Sequence, residues 1–516
     1  MLSGFEPVNV LGIKQATTAA TETIVISDEP SIGKTLANPM DIGIAKNTPP
    51  CETIPSEVLG EIFLWCLTPW DLPVEQEYRR VRQDTVGGRT IPWKLAVVCN
   101  SWRQVALQLP MLWSFITIAP EELETETRVS KVISPTRILL ERSKGTPLHI
   151  RIHGRGDYGL CMNHSTIKDH WFALLRSLIE HSLRWQDVDF HLERFLALEL
   201  VAVKGHLPLL RTARLEILPQ LDQVGSWMLS DEFFGSFCAF ASCPSLTHFE
   251  IRGVPRCSPI PWSQITRFGG DGLQHAEQIN IISQMPSLVH LQLGAYSDAP
   301  SKLTRLPVVS LPFLHTLKVK GERTIFDNLI LPALRILDIK YYVDSQSLIS
   351  LLHRSSCNLT SFTLLTCVSD THLIATFSEM PSLISLTLFD YFGLAITNEL
   401  LLRLTFTNDS KPPRLLPRLE SLAFRFADGL PCSEHLFVAM VESRCRRRAA
   451  SQIDDSQISS LRTIIAELPQ YVSPKNDFTC LLSHLAPLQE NGLEVSVQSR
   501  NSTNSGLPSA TIPADV

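Results

Sequence analysis

The residues of this chain best placed to do chemistry lie between positions 149 and 170. Gly154-x-Gly156-x-x-Gly159 has the glycine spacing of a dinucleotide-binding turn, and His149-Ile150-Arg151-Ile152-His153 before it has the pattern of a strand. Such a turn needs a helix that starts at once, so that its N-terminus meets a pyrophosphate, and a carboxylate ~20 residues further on. The next helical pattern starts only near Ser165 and no such carboxylate is in place, so the glycines read as a plain loop. Cys161, His164 and His170 offer three zinc ligands, but no fourth is near and the spacing fits no common site. Arg444, Arg446, Arg447 and Arg448 form a basic run. It reads as a solvated helix end, where cations suit the macrodipole, rather than as an import signal. No GxSxG, HExxH or P-loop pattern occurs. The expectation is a chain without catalytic residues, metal ligands or cofactor.

Composition agrees with a binding role. The 516 residues are 44% hydrophobic, and 46 Lys and Arg against 52 Asp and Glu give a net charge of −6. So small a charge signals neither nucleic acid nor membrane surface as partner, and no stretch approaches the ~18 apolar residues that cross a membrane. The twelve Cys include no CxxC pair; they read as reduced core thiols of a cytoplasmic or nuclear protein. Leu is the outlier, at roughly one residue in seven.

Two helical stripes open the folded part. After Ile54-Pro55-Ser56-Glu57, the apolar residues Val58, Leu59, Ile62, Phe63, Cys66 and Leu67 recur on a 3.6-residue period, and Pro69 stops them. A polar stretch at 70–92 reads as a loop. Leu95, Val98, Trp102, Val105, Ala106 and Leu109 then repeat the period as one helix, which Pro110 ends before Leu112-Trp113 and a strand start at Phe115, Ile116 and Ile118.

Further on, the phrase Pro-x-Leu-x-x-apolar-x-apolar recurs. Its key Leu residues are Leu210, Leu246, Leu288, Leu314, Leu334, Leu359 (without the Pro), Leu383 and Leu419. Alternating apolar residues after each imply a short strand with one buried face. Helical stripes such as Leu348, Leu351, Leu352 and Leu373, Ile374, Phe377 lie between. Strand then helix, repeated, predicts an α/β solenoid with parallel strands inside and helices outside. The longer spacings predict helical or loop insertions. At the end, Leu461, Ile464, Ile465 and Leu468 read as a helix, Leu481, Leu482, Leu485 and Leu488 as another, and Leu493, Val495 and Val497 as a closing strand. Along each strand, the residues between the buried positions line the concave face. They include His248, Glu250 and Arg252; His290 and Gln292; Lys318 and Lys320; Asp338 and Lys340; Thr363; Thr387 and Phe389; and Arg425. These are the candidate target-binding residues.

The ordered set Ile54-Pro55, Glu57, Ile62-Phe63, Val98-Cys99, Trp102-Arg103 and Leu112-Trp113 resembles an F-box. With Leu139-Leu140-Glu141-Arg142-Ser143 and Leu183-Arg184-Trp185, it is similar to the large F-box families of mushroom-forming fungi. The phrases after it resemble irregular leucine-rich repeats. The resemblance implies a three-helix F-box over 51–115. It would bind a Skp-type adaptor, and through it a cullin ubiquitin ligase, with Ile54, Pro55, Leu59, Ile62, Phe63 and Leu67 in contact. Val98, Trp102, Leu112 and Trp113 would hold the helices together. The remaining parts read as a disordered tail at 1–50, a linking α/β segment at 116–206, the repeats with their cap at 207–498 and a tail at 499–516. The alternative is a repeat scaffold whose first helices merely cap the array. Within the first tail, Ile24-Val25-Ile26 followed by acids resembles a SUMO-interacting motif, a short strand that adds to a partner's sheet edge.

Overall fold

A computed structural model describes residues 54–67, 91–118, 126–153, 165–218, 237–252, 259–294, 306–321, 325–340, 344–366, 368–390, 392–406, 415–426, 432–445, 459–469 and 479–500. Ile24, Val25 and Ile26, the three loop glycines, Cys161, His164 and Arg446 to Arg448 lie outside them.

Fourteen strands form one sheet in which every pair is parallel and chain order is spatial order. They are β1 (Phe115–Ile118), β2 (Leu148–His153), β3 (Trp185–Glu193), β4 (Thr212–Leu218), β5 (His248–Arg252), β6 (Arg267–Asp271) and β7 (His290–Gly294). Then come β8 (Thr316–Lys320), β9 (Ile336–Lys340), β10 (Ser361–Thr366), β11 (Ser385–Asp390), β12 (Ser421–Phe426), β13 (Thr463–Pro469) and β14 (Glu494–Arg500). Helices are interspersed along the chain: α1 (Ser56–Trp65), α2 (Ile91–Ala96), α3 (Asn100–Gln108), α4 (Glu126–Arg142), α5 (Ser165–Ile179) and α6 (Arg194–Glu199). After these come α7 (His275–Ile282), α8 (Ser345–Ser355), α9 (Asp370–Ser378), α10 (Asn398–Leu404), α11 (Glu434–Cys445) and α12 (Thr479–Glu490). The architecture is α/β with a sequentially stacked parallel sheet, as in a solenoid.

The recurring phrase has a local cause. In Cys243-Pro-Ser-Leu246, Met285-Pro-Ser-Leu288, Leu311-Pro-Phe-Leu314, Leu331-Pro-Ala-Leu334, Met380-Pro-Ser-Leu383 and Leu416-Pro-Arg-Leu419, the last Leu N–H donates to the carbonyl of the first residue at 3.1 to 3.3 Å. Pro therefore occupies the second position of a tight turn, where its fixed φ fits and its missing donor costs nothing. Both turn ends, the residue before Pro and the Leu, are buried. The turn thus pins two core residues and aims the chain into its strand.

Three expectations are corrected. The stripe Leu95–Leu109 is two helices, α2 and α3: the backbone of Cys99 is extended, and its Sγ caps α3 by accepting from the Trp102 N–H at 3.5 Å. Residues 463–469 are strand β13, not a helix; Ile464 and Ala466 are buried on one face, a period of two that outweighs the helical reading of Leu461 to Leu468. The 42-residue gap between Leu246 and Leu288 hides a strand, β6, whose Gly269-Gly270 pair has turn-like composition. The segment at 116–206 supplies most of the first strands, so the sheet begins with Phe115 rather than at the first Pro-x-Leu phrase.

Trp113 and Trp185 mark the entry to β1 and β3 in the same way. Each is fully buried and donates its indole N–H to a carbonyl seven residues earlier, Ala106 at 2.7 Å and Leu178 at 3.2 Å. The phrases at 139–143 and 183–185 interlock. Arg184 donates to the Ser143 hydroxyl at 2.6 Å and the Thr146 carbonyl at 3.0 Å, closing the C-terminal end of α4. Arg142 lies over the rings of Trp93 and Trp113, tying α4 to the first helices.

Candidate functional site

Two surfaces stand out. The first is the face of α1 and the turn after α2. Leu59 and Phe63 point inward and are fully buried; Phe63 packs on Trp102 with ring centroids 5.0 Å apart. That corrects the expectation that these two touch a partner: the helix spends them on its own core. Ile62 is 43% exposed and Trp65 86%, with Val58 also outward, so positions i, i+4 and i+7 put an apolar strip on the solvent side of α1. Pro55 is exposed, and Ile54 and Leu67 are half-buried against the core. Val98, expected as packing, is exposed with Val97 because the break between α2 and α3 turns both outward. Trp102 is half-buried, and Leu112 and Trp113 are fully buried, as packing residues should be. Large apolar side chains clustered outside a small helical unit mark a contact surface.

The second surface is the polar face of the sheet. Its middle row runs Arg151, Asp189, Arg214, Glu250, Gly269, Gln292, Lys318, Asp338, Thr363 and Thr387, each opposite the next in register. The row beside it holds His153, His191, Glu216, Arg252 and Asp271, and further along Lys320 opposite Lys340 and Phe389 opposite Arg425. His248 lies in the row on the other side of the middle one, opposite Thr212 and Arg267, with His290 next along it. The alternation thus places the expected face residues on one side of the sheet. They do not form one site: Arg425 pairs instead with Glu467 at 3.1 Å, far along the sheet from Glu250.

What gathers is a hollow over β2–β7, with Gly269 and Gly270 as its floor and His153, Asp189, His191, Glu250, Arg252 and Asp271 among its walls. Arg151 Nε lies 3.2 Å and His153 Nε2 3.3 Å from Asp189 Oδ2, and His191 Nε2 lies 3.4 Å from Oδ1. His191 Nδ1 is 3.5 Å from Glu216, which Arg252 holds at 3.4 Å while also reaching Asp271 at 3.5 Å. His248 bonds Glu250 at 2.8 Å. Asp189 is 4% exposed. Burial alone would raise its pKa, but hydrogen bonds from His153 and His191 hold it well below the usual carboxylate range. Burial also lowers His153, so that pair is a carboxylate beside a neutral imidazole near neutral pH. For Glu250, burial is likewise overcome by His248 and Arg214, and its pKa falls.

Most of this cluster comes from β2, β3 and β4, of which only β4 follows a Pro-x-Leu phrase. The signal that could have found it is the alternation in Asp187-Val188-Asp189-Phe190-His191-Leu192. His170 sits on α5, apart from this cluster. Compared with models of known protein families and with curated proteins, the chain matches none.

Proposed function

We propose that this chain is a non-catalytic target receptor of a cullin-type ubiquitin ligase. It would engage a Skp-type adaptor through the outer face of α1 and the α2–α3 turn, and a protein target through the polar face of the sheet. The observation that carries this reading is the apolar strip Val58, Ile62 and Trp65, with Val97 and Val98, on helices that resemble an F-box in residue order. Its work is proximity: holding a target lysine near a ubiquitin-carrying enzyme raises their effective concentration, with no bond made by this chain.

A second reading, a repeat scaffold whose helices only cap the sheet, draws support from Leu112 and Trp113, which bury themselves at the junction with β1 as a cap would. A pull-down with a purified Skp-type adaptor separates the two. The ligase reading expects the full chain to bind and Ile62→Asp with Val58→Asp to abolish binding without unfolding. No binding by the wild-type chain would overturn it and leave the scaffold.

A further inference from the structure

The His153, Asp189 and His191 cluster lies outside the adaptor surface and has a use that target reading does not require. Its three ligand atoms lie within 4.8 Å of one another. The cause is local: Asp189 and His191 are two apart on β3 and share a face, and His153 on β2 stands opposite His191 in register. The two histidine rings are stacked with centroids 4.1 Å apart.

We propose that these three side chains bind one zinc-like divalent cation, with its fourth coordination position open to the hollow. In a tetrahedral site with bonds of ~2.0–2.1 Å, ligand atoms stand about 3.3–3.4 Å apart. The edge from His191 Nε2 to Asp189 Oδ1 already has that length, at 3.4 Å, and His153 Nε2, now 3.3 Å from Oδ2 of the same carboxylate, has to move across to Oδ1. The His–His edge closes by turning the stacked rings toward a common point. Two imidazoles and one carboxylate are a donor set that zinc takes with a water or ligand in the fourth place.

The surroundings are those of a metal site. His191 directs its other nitrogen at Glu216, and Arg252 holds that carboxylate. Arg151 holds Asp189 Oδ2 and leaves Oδ1 for the cation. Carboxylates behind ligating histidines and donors behind ligating carboxylates orient such ligands. The hollow also favours a cation. Asp189, Glu216, Glu250 and Asp271 face Arg214 and Arg252, so even with Arg151 behind Asp189 the carboxylates outnumber the guanidiniums.

The test uses the full chain, stripped with a chelator and titrated with Zn2+ against a chromophoric competitor. One ion per chain is expected. His191→Ala and Asp189→Asn should each weaken it at least about a hundredfold, and Glu216→Gln about 10–100-fold. Co2+ in place of Zn2+ should show d–d bands without a thiolate charge-transfer band, which separates this site from the chain's cysteines. His191 is partly exposed, so His191→Ala should keep the circular dichroism of the wild type; if Asp189→Asn unfolds, His191→Ala and Glu216→Gln carry the test. Absence of binding, affinity unchanged in the folded variants, or a thiolate band would each overturn the site. Adaptor binding should be the same with and without Zn2+, so the two readings fail separately.

Discussion

Neighbouring residues on α1 should fail in opposite ways. Ile62 faces solvent and Phe63 faces the core. Ile62→Asp should lower folding stability by only about 1–1.5 kcal/mol, the share of its burial already made in the folded chain. In a docked complex it loses apolar contact and buries a carboxylate. Fully burying an Ile side chain gives ~1.5–3 kcal/mol. At 43% exposure about 1 kcal/mol of that remains for the partner. Setting a carboxylate against an apolar surface adds at least about 2 kcal/mol. The total of about 3 kcal/mol is on the order of a hundredfold in affinity. Trp65→Ala, losing a ring that is 86% exposed, should cost a similar amount, as central aromatic anchors do. Phe63→Ala instead leaves a cavity beside Trp102 and should cost about 3–5 kcal/mol of stability. Surface plasmon resonance on the Skp-type adaptor, paired with urea denaturation, reads both quantities. If folded Ile62→Asp binds as tightly as wild type, or if Phe63→Ala loses affinity with no loss of stability, the assignment of the two faces is wrong.

Three further outcomes follow from buried groups. Arg444→Met should destabilise by about 3 kcal/mol or more in denaturant titration. The guanidinium satisfies the carbonyls of Leu404, Leu415 and Leu416 at 2.7 to 3.0 Å, and the variant leaves them without that partner. The melting temperature should fall as pH drops below about 6.5, where the unfolded chain begins to charge the histidine that burial keeps neutral at position 153. It should fall more steeply below about 4, where Asp189 and Glu250 lose the stability that their lowered pKa values supply at higher pH. A flat profile down to pH 4 would refute the network's protonation states. In thiol labelling at neutral pH, Cys66, the exposed one among the described cysteines, should react before the others described and be protected by bound adaptor, while Cys243 and Cys432, each pushed up to about 12 by burial, should stay unlabelled until the chain unfolds.

The parts of the fold legible in the sequence are those whose cause is local. A Pro at the second position of a turn, an apolar residue before it and a Leu after it suffice to start a strand, and six phrases announce themselves this way. The stripe of α1 is equally local. Where the cause is distant, sequence reading fails. Arg444 looks like a solvated cation at a helix end, yet it is buried over Phe406 and bonded to carbonyls 28 to 40 residues away. Nothing near Arg444 signals that α10 ends at its side with open carbonyls. Leu59 and Ile62 look equivalent in a stripe; only the packing of α1 against α3 tells inside from outside.

The hollow shows the same limit and points to where recognition would sit. His153, Asp189, His191, Glu216 and Arg252 span about a hundred residues of sequence, and stacking β2 to β5 in register is what brings them together. Each parallel strand adds ~4.8 Å across the sheet, so this cluster starts one strand from β1, into which the turn Pro110–Trp113 leads from α3. Phe389 and Arg425 lie on β11 and β12, nine and ten strands beyond β2 and so about 43–48 Å further from that end by the same spacing. A partner seated over β2–β7 would therefore be held next to the helices with the apolar strip, while one seated on β11 and β12 would not. Most charges there are already paired within the face, so a target would bind by replacing particular partners rather than by following a long-range field. Selectivity would then rest on geometry at a few buried pairs, which suits a chain whose net charge is small for its size.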